Sequence, residues 1–430
     1  MSQASSLKGC SMDAIATRKT RIAVVNTHPI QYFAPLYAHL NASPDLEVTV
    51  LYLSDFSLRG AKDPGFGQIV KWDIDLLSGY PYLFVGPKAG KLEPNGFASI
   101  IVPRIWQAVR GGGYDALWLN GHGIAANLIA LAAAKSIGIP VLMRCDTHLG
   151  LPCSGVKAVL RKPLLSILYS QCDGFLAIGT ANKRFYLAMG VPEQKISLVP
   201  FTVDNARFME KPRLSRNDRL AARERYGIAT NRPAILYVSK FIRRKHPDHL
   251  VLAAQRLAAE GLSFDLVLAG SGEMRTELEA LIARGGPPHI VMPGFINQQD
   301  MPKLLGACDL FVLPSENEPW GLIVNEAMCA GLPIVVSAAA GCATDLVRQG
   351  ENGFVFAAGS VDALADALRP IITDAGLRQS MSRKSIEIIE GWNYGRCLDG
   401  LRDAVARCCR DPKRYVPNWP EARAMKRTCK

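Results

Sequence analysis

The sequence predicts an α/β protein of two doubly wound, Rossmann-like domains facing each other across a cleft, with a C-terminal helix crossing back. Three observations carry this. Short apolar runs alternate with helix-period segments along most of the 430 residues, the rhythm of a parallel sheet wrapped by helices. A polar stretch rich in Arg, Asn, Glu and Pro interrupts that rhythm over residues 200–232. The composition is 49% hydrophobic, with no fixed-period repeat and no low-complexity tract, as expected of a globular chain long enough for two cores.

Residues 1–20 carry Lys8, Asp13, Arg18 and Lys19 without a sustained apolar stretch, so they read as a disordered leader and not as a signal peptide. The first domain, 21–205, has strands at 22–25, 48–53, 116–119, 141–143, 174–178 and 196–199. Helical segments follow them at 33–40, 124–134, 156–170 and 181–189. A linker falls near 200–210. The second domain, 206–390, repeats the pattern with strands at 234–238, 264–269, 290–292, 310–313 and 333–336, and a short one around Phe354. Helices at 361–368 and 377–389 lead to the last segment, 391–430, a C-terminal helix and basic tail. Two such units leave a cleft between the carboxyl ends of both sheets, where ligands of open α/β folds bind.

Fifty Lys and Arg against 38 Asp and Glu give a formal charge of +12, which suits phosphorylated ligands, nucleic acid or an anionic membrane surface. No zinc-finger or other nucleic-acid signature accompanies it, so nucleic acid is excluded as a partner. The eleven Cys have neither metal-ligand spacing nor a disulfide framework, which suggests reduced thiols and a cytoplasmic location. The longest apolar run, 124–134, is too short to span a bilayer.

The segment from Ser315 to Met328 is the most informative. It follows a buried strand and opens a helix, so the backbone amides of Gly321 and Leu322, with the helix dipole, favour an anion. Glu318 in the loop and Glu326 eight residues on can touch different parts of one ligand, and carboxylates suit ribose or hexose hydroxyls better than a phosphate. Lys240, Arg243, Arg244 and Lys245 put four cations in six residues just after a strand, which fits a diphosphate better than a solvated loop. Gly270-Ser271-Gly272 follows the next strand and lets backbone approach a ligand, although a plain tight turn uses the same residues.

In the first domain, Asn120-Gly121-His122-Gly123 joins a strand to a helix, and His122 between two glycines reads as a ligand contact. Thr27-His28-Pro29 occupies the equivalent loop after the first strand, where His28 could meet the acceptor or Pro29 simply start a helix. Arg144 and Asp146 either face the acceptor or pair with each other. Asp73-Ile74-Asp75 matches a metal-binding D-x-D, but nothing around it completes a site, so no metal is assigned.

These residues resemble the group one, family-four type of retaining glycosyltransferase with the GT-B fold. The resemblance rests on Glu318 and Glu326 within Glu318-Pro319-Trp320-Gly321-Leu322, on Ala330-Gly331-Leu332-Pro333, on Gly350-Glu351-Asn352-Gly353 and on Gly270-Ser271-Gly272. Pro293-Gly294-Phe295 and Val199-Pro200 with Val203-Asp204 also fit. It is strong over roughly 195–360 and weaker over 21–150, where Thr27-His28-Pro29 replaces a glycine-rich loop. It implies a nucleotide-diphosphate-sugar donor with Lys240 and Lys245 on the diphosphate, although His246 replaces the Gly that commonly follows the second cation. It further implies Glu326 on ribose, Glu318 on the transferred sugar, Phe295 and the amides of Trp320–Leu322 on the donor, and His122 reaching the sugar from the opposite domain. The implied reaction transfers a hexosyl or related group with retention, needs no metal or other cofactor, and belongs to bacterial polysaccharide or glycolipid assembly. Its acceptor would be a sugar, a lipid-linked sugar or a small molecule.

Competing readings are a sugar-nucleotide epimerase of the same fold, which would form product without acceptor, and a non-catalytic sugar-nucleotide-binding protein. A phosphorylase needs a pyridoxal-phosphate lysine, for which the sequence offers no context. The basic, partly apolar segment 157–169 fits either a helix packed on the sheet, the preferred reading, or a peripheral contact with the anionic inner face of the membrane.

Overall fold

Each strand expected in the first domain forms, and all of them run parallel in one sheet. The computed structural model describes residues 18–63, 65–86, 101–210, 215–286 and 288–408. β1 (Thr20–Asn26), β2 (Leu46–Tyr52), β5 (Tyr82–Phe84), β6 (Ala116–Asn120), β7 (Val141–Arg144), β8 (Gly174–Ala177) and β9 (Ile196–Leu198) form one sheet. Its order is β5-β2-β1-β6-β7-β8-β9. β3 (Ala61–Asp63) and β4 (Gln68–Val70) pair antiparallel outside it. The second sheet, β12-β11-β10-β13-β14-β15, joins β10 (Ala234–Val238), β11 (Asp265–Ala269), β12 (His289–Gly294), β13 (Leu310–Leu313), β14 (Ile334–Ser337) and β15 (Gly353–Phe356). In both sheets the order reverses beside the first strand of the unit, the switch point that opens a crevice at the carboxyl ends.

Helices cover both faces of each sheet. Phe175 and Phe185 fill one face of the first, Trp118 and Tyr37 the other. In the second, Phe311 and Trp320 lie on the side that also receives Val203 and Phe208 of the linker. Of the leader expected over 1–20, residues 1–17 lie outside the described part; Arg18 pairs with Asp115 and β1 begins at Thr20. The basic tail beyond residue 408 also lies outside it. β5 and the β3–β4 hairpin were not foreseen, because three-residue strands carry too little pattern to register.

The helix Tyr394–Cys408 crosses back onto the first domain, burying Leu401 and Val405 against the Ile22 and Val24 face of β1. Arg402 holds Asp45 at 2.7 Å and Asp403 accepts from Ser197 Oγ at 2.7 Å. Gly400 rests directly on the Leu198 carbonyl, where a Cβ would come within 1.9 Å of the oxygen. Gly400→Ala should therefore destabilise the protein by about 1–3 kcal/mol through overpacking, read as a lowered midpoint in thermal or urea unfolding.

Candidate functional site

The strand-end loops of both sheets converge on a cavity of about 420 Å³. Its second-domain wall holds Lys240 and Lys245 after β10, Gly270 after β11, Phe295 after β12, and Glu318, Trp320, Gly321, Leu322 and Glu326 after β13. Its first-domain wall holds Gln31, Tyr32, Asp63, Phe66, Trp72 and Asp146. Nine donor residues named from the sequence thus meet in one place. Ser271 and Gly272 stand one step back, the Ser271 carbonyl accepting from Phe241 N–H at 2.8 Å.

Local backbone explains the residue types. Gly270 has φ 147°, and a Cβ there would lie 2.0 Å from the Ser239 carbonyl oxygen, so only glycine lets β11 turn so close to the Lys240 loop. Gly321, at φ 97°, opens the helix Leu322–Cys329, whose first residues line the cavity and whose first turn leaves amides without intrahelical partners. His246 is the one non-glycine residue with positive φ among those described, at 47°. That conformation accounts for the glycine expected there.

Lys245 and Glu318, 7% and 9% exposed, form an ion pair through Nζ and Oε2. Burial draws the Lys245 pKa down, while Glu318 opposes the shift. Lys240 is paired too, with Asp63 at 2.8 Å. Glu326 is different. It is 1% exposed, and its carboxylate oxygens make no hydrogen bond of ordinary geometry among the described residues, although the Tyr32 hydroxyl lies beside them. Burial pushes its pKa up to about 8, against weaker opposing effects of Arg207 and Tyr32.

A smaller cavity of about 180 Å³ adjoins the first, sharing Asp146 and Phe201 and adding Phe33, Asn120, Gly121 and Arg144. Arg144 and Asp146 form no ion pair among the described residues; the Arg144 guanidinium lies buried among the faces of Phe33, Trp118 and Phe201 at 5.5, 5.5 and 5.1 Å. Two residues named from the sequence lie off both cavities. His122 lines neither cavity: its Nδ1 meets Tyr169 Oη at 3.1 Å, and burial followed by Arg161 brings its pKa down to about 4. His28 likewise turns aside, with Nδ1 2.9 Å from Thr27 Oγ1 and its ring against Phe56. The Asp73-Ile74-Asp75 carboxylates serve the backbone, Asp73 accepting from Gln299 N–H and Asp75 from Leu77 and Ser78 N–H.

The sequence reading missed His148, which is buried and donates through Nε2 to the Glu318 carbonyl at 3.0 Å across the domain boundary. Its position two residues after Asp146, in a loop following a buried strand, was the available signal. Tyr32, Asp63, Phe66 and Trp72 were missed because they fall in stretches without periodicity.

Fold and cavity together define a two-domain α/β protein of the GT-B arrangement with a cleft lined by Lys240 and Lys245. Two family models match it: Glycosyl transferase 4-like domain over residues 29–202 and Glycosyl transferases group 1 over residues 218–387. Taken together, the two matches place the chain among the group 1 glycosyl transferases. It is 28% identical over 266 residues to an uncharacterized glycosyltransferase of Methanocaldococcus jannaschii, covering 61% of this chain and 66% of that protein. It is 32% identical over 168 residues to the alpha-D-kanosaminyltransferase of Streptomyces kanamyceticus, covering 39% and 43%. The matches therefore span 43% to 66% of those relatives' own length. Among solved structures, Anabaena HepE in complex with UDP superposes with a TM-score of 0.70 at 19% identity, over 90% of this chain and 100% of that one. Sucrose-phosphate synthase from Thermosynechococcus elongatus gives 0.66 at 17%, over 90% and 99%. Both share the fold.

An acid whose folded pKa is raised to about 8 stays protonated where the unfolded chain has released its proton, so stability falls as pH climbs from about 4.5 to 8. Glu326→Gln should remove that loss. The variant is expected to be more stable than the parent at pH 8, by on the order of a few kcal/mol, with little difference at pH 4.5, in paired denaturant titrations.

Proposed function

We propose that this chain is a glycosyltransferase that moves a sugar from a nucleoside-diphosphate donor to an acceptor hydroxyl with retention at the anomeric carbon, in bacterial polysaccharide or glycolipid assembly. The observation that carries this reading is the convergence of Lys240, Lys245, Glu318 and Glu326 on one interdomain cavity at a glycine loop and a helix start. Lys240, Lys245 and the amides of Gly321 and Leu322 stabilise the departing diphosphate. Glu326 accepts from ribose hydroxyls, Glu318 from the transferred sugar, and Asp146 presents the acceptor from the opposite wall.

In this mechanism the anomeric C–O bond to phosphate breaks, the acceptor oxygen bonds to the same face, and the acceptor proton passes to the leaving phosphate oxygen. No protein nucleophile is required. Glu318 suits a binding role better than a nucleophilic one, because its carboxylate is committed to Lys245. No metal or other cofactor takes part.

The enzyme would work in the cytoplasm with a peripheral hold on the membrane. The helix Gly155–Ser170 supports this: Val159, Leu164 and Ile167 are 75%, 60% and 67% exposed, while Leu165 and Tyr169 face the core. Between Asp146 and Asp173 the chain has no acidic residue, and Arg161 and Lys162 flank the apolar face. An apolar stripe bordered by cations matches an anionic lipid surface.

Calorimetric titration with UDP, GDP and ADP and their hexose conjugates tests the donor site, with UDP first because HepE was solved with it. One nucleotide should bind, and Glu326→Ala should weaken it at least about tenfold, the loss of its hydrogen bonds to the ribose. With an acceptor found, NMR should show the donor's anomeric configuration in the product; a glycosyl adduct trapped on Glu318 would contradict the mechanism. Vesicles containing phosphatidylglycerol should bind the parent, and Arg161→Glu with Lys162→Glu, or Val159→Ser with Ile167→Ser, should abolish that binding while leaving nucleotide affinity intact.

A further inference from the structure

One of the donor-side cations is held by a piece of the opposite domain. Both carboxylate oxygens of Asp63, on the β3–β4 hairpin, lie 2.8 Å from Lys240 Nζ. The carboxylate is itself positioned, Oδ1 accepting from the N–H groups of Gly65 and Phe66 at 2.8 and 3.0 Å. Lys240 sits 5.0 Å from the Phe66 ring centroid, and Phe66 meets Phe295 edge-on at 4.9 Å.

The hairpin turn also presses on the glycine loop. A Cβ on Gly65 would come within 2.5 Å of Lys240 Cδ, and one on Gly272 within 2.8 Å of the Gly65 carbonyl oxygen. Two further ties hold the following segment to the second domain: Asn297 Nδ2 donates to the Lys71 carbonyl at 2.8 Å, and Gln299 N–H donates to Asp73 at 3.2 Å. A pre-positioned anion thus occupies the cation and covers the loop that the proposed function gives to the donor's diphosphate. A diphosphate arriving at Lys240 would meet the Asp63 carboxylate at contact distance, where like charges exclude each other.

We propose that Asp63 is a stand-in for the donor's diphosphate, competing with the ligand for Lys240 and thereby setting donor affinity and selecting for ligands charged enough to displace it. This rests on the donor reading given above. A nucleoside carries nothing that can take the place of Asp63 on Lys240, whereas a nucleoside diphosphate or its sugar conjugate does. Donor entry then frees the hairpin from Lys240, and with it Phe66, so that the first-domain wall of the cavity rearranges only around a charged ligand.

The test is calorimetric titration of UDP, GDP and ADP, each beside its nucleoside, into the full chain and its Asp63→Asn variant. The diphosphate that binds should do so roughly fivefold more tightly to Asp63→Asn, the scale of a partly exposed ion pair, with no gain for the nucleoside. In a Lys240→Ala background, where Asp63 has nothing to compete for, the same substitution should bring no gain. Equal or weaker diphosphate binding by Asp63→Asn, at an unchanged melting temperature, overturns the proposal and leaves the donor reading standing. A gain that persists without Lys240 overturns it as well. Failure of every diphosphate to bind either chain overturns the donor reading, and this inference with it.

Discussion

The cleft is organised around the contact between Lys245 and Glu318, an ion pair almost wholly removed from water. Such a pair is not a source of stability in itself, because desolvation offsets much of the attraction. It persists because the surrounding backbone is fixed. The Glu318 carbonyl accepts from His148 of the first domain and from Gly341 of the second, and a strand-like bridge from Glu318 to Ala340 ties the loop to the segment after β14. The carboxylate that would meet the sugar is therefore oriented by both domains at once. The cation that would meet the phosphate is oriented through it.

Charge balance in the cavity follows from this arrangement. Four carboxylates, Asp63, Asp146, Glu318 and Glu326, face Lys240, Lys245 and Arg244. Each lysine takes one carboxylate, and Arg244 donates to the Asn317 carbonyl at 2.8 Å. Asp146 and Glu326 have no ion-pair partner among the described residues. A buried carboxylate so placed lowers its cost by holding a proton, and burial accordingly raises the Asp146 pKa and brings that of Glu326 up to about 8. The cavity thus keeps cations that a diphosphate can claim. Fold stability is given up at Glu326, as is common where a side chain is kept for a ligand and not for the core.

Most of the architecture and the second-domain wall were legible in the sequence because they rest on short-range rules. β10, β11 and β13 are continuous apolar runs, and the residues that follow them, Lys240, Gly270 and Glu318, must emerge at the carboxyl edge of a parallel sheet. The first-domain wall obeys no such rule. Asp63 and Phe66 reach Lys240 from 177 and 174 positions away along the chain, through a hairpin too short to show periodicity. His122 shows the opposite case: its setting between two glycines suggested exposure to a ligand, but its packing partner, Tyr169, comes from the helix Gly155–Ser170, three elements later. Arg144 lines the smaller cavity, but its cage of Phe33, Trp118 and Phe201 draws on three separate segments that no local pattern links.

The linker and the donor wall share side chains, which ties domain placement to the site. Trp320 lies between Phe201 of the linker and Trp392, at 6.3 and 5.4 Å, and its Nε1 donates to Asn325 Oδ1 at 3.0 Å. Asn325 in turn donates to the Phe201 carbonyl at 3.1 Å. Asn325 immediately precedes Glu326 on the same rigid helix, so a displacement of the linker at Phe201 is carried to the Glu326 carboxylate through one side chain and one peptide. Phe201 also forms part of the smaller cavity and of the Arg144 cage. A change in the angle between the domains must therefore alter both cavities together, and a ligand that settles Glu326 also constrains the wall on which an acceptor would rest.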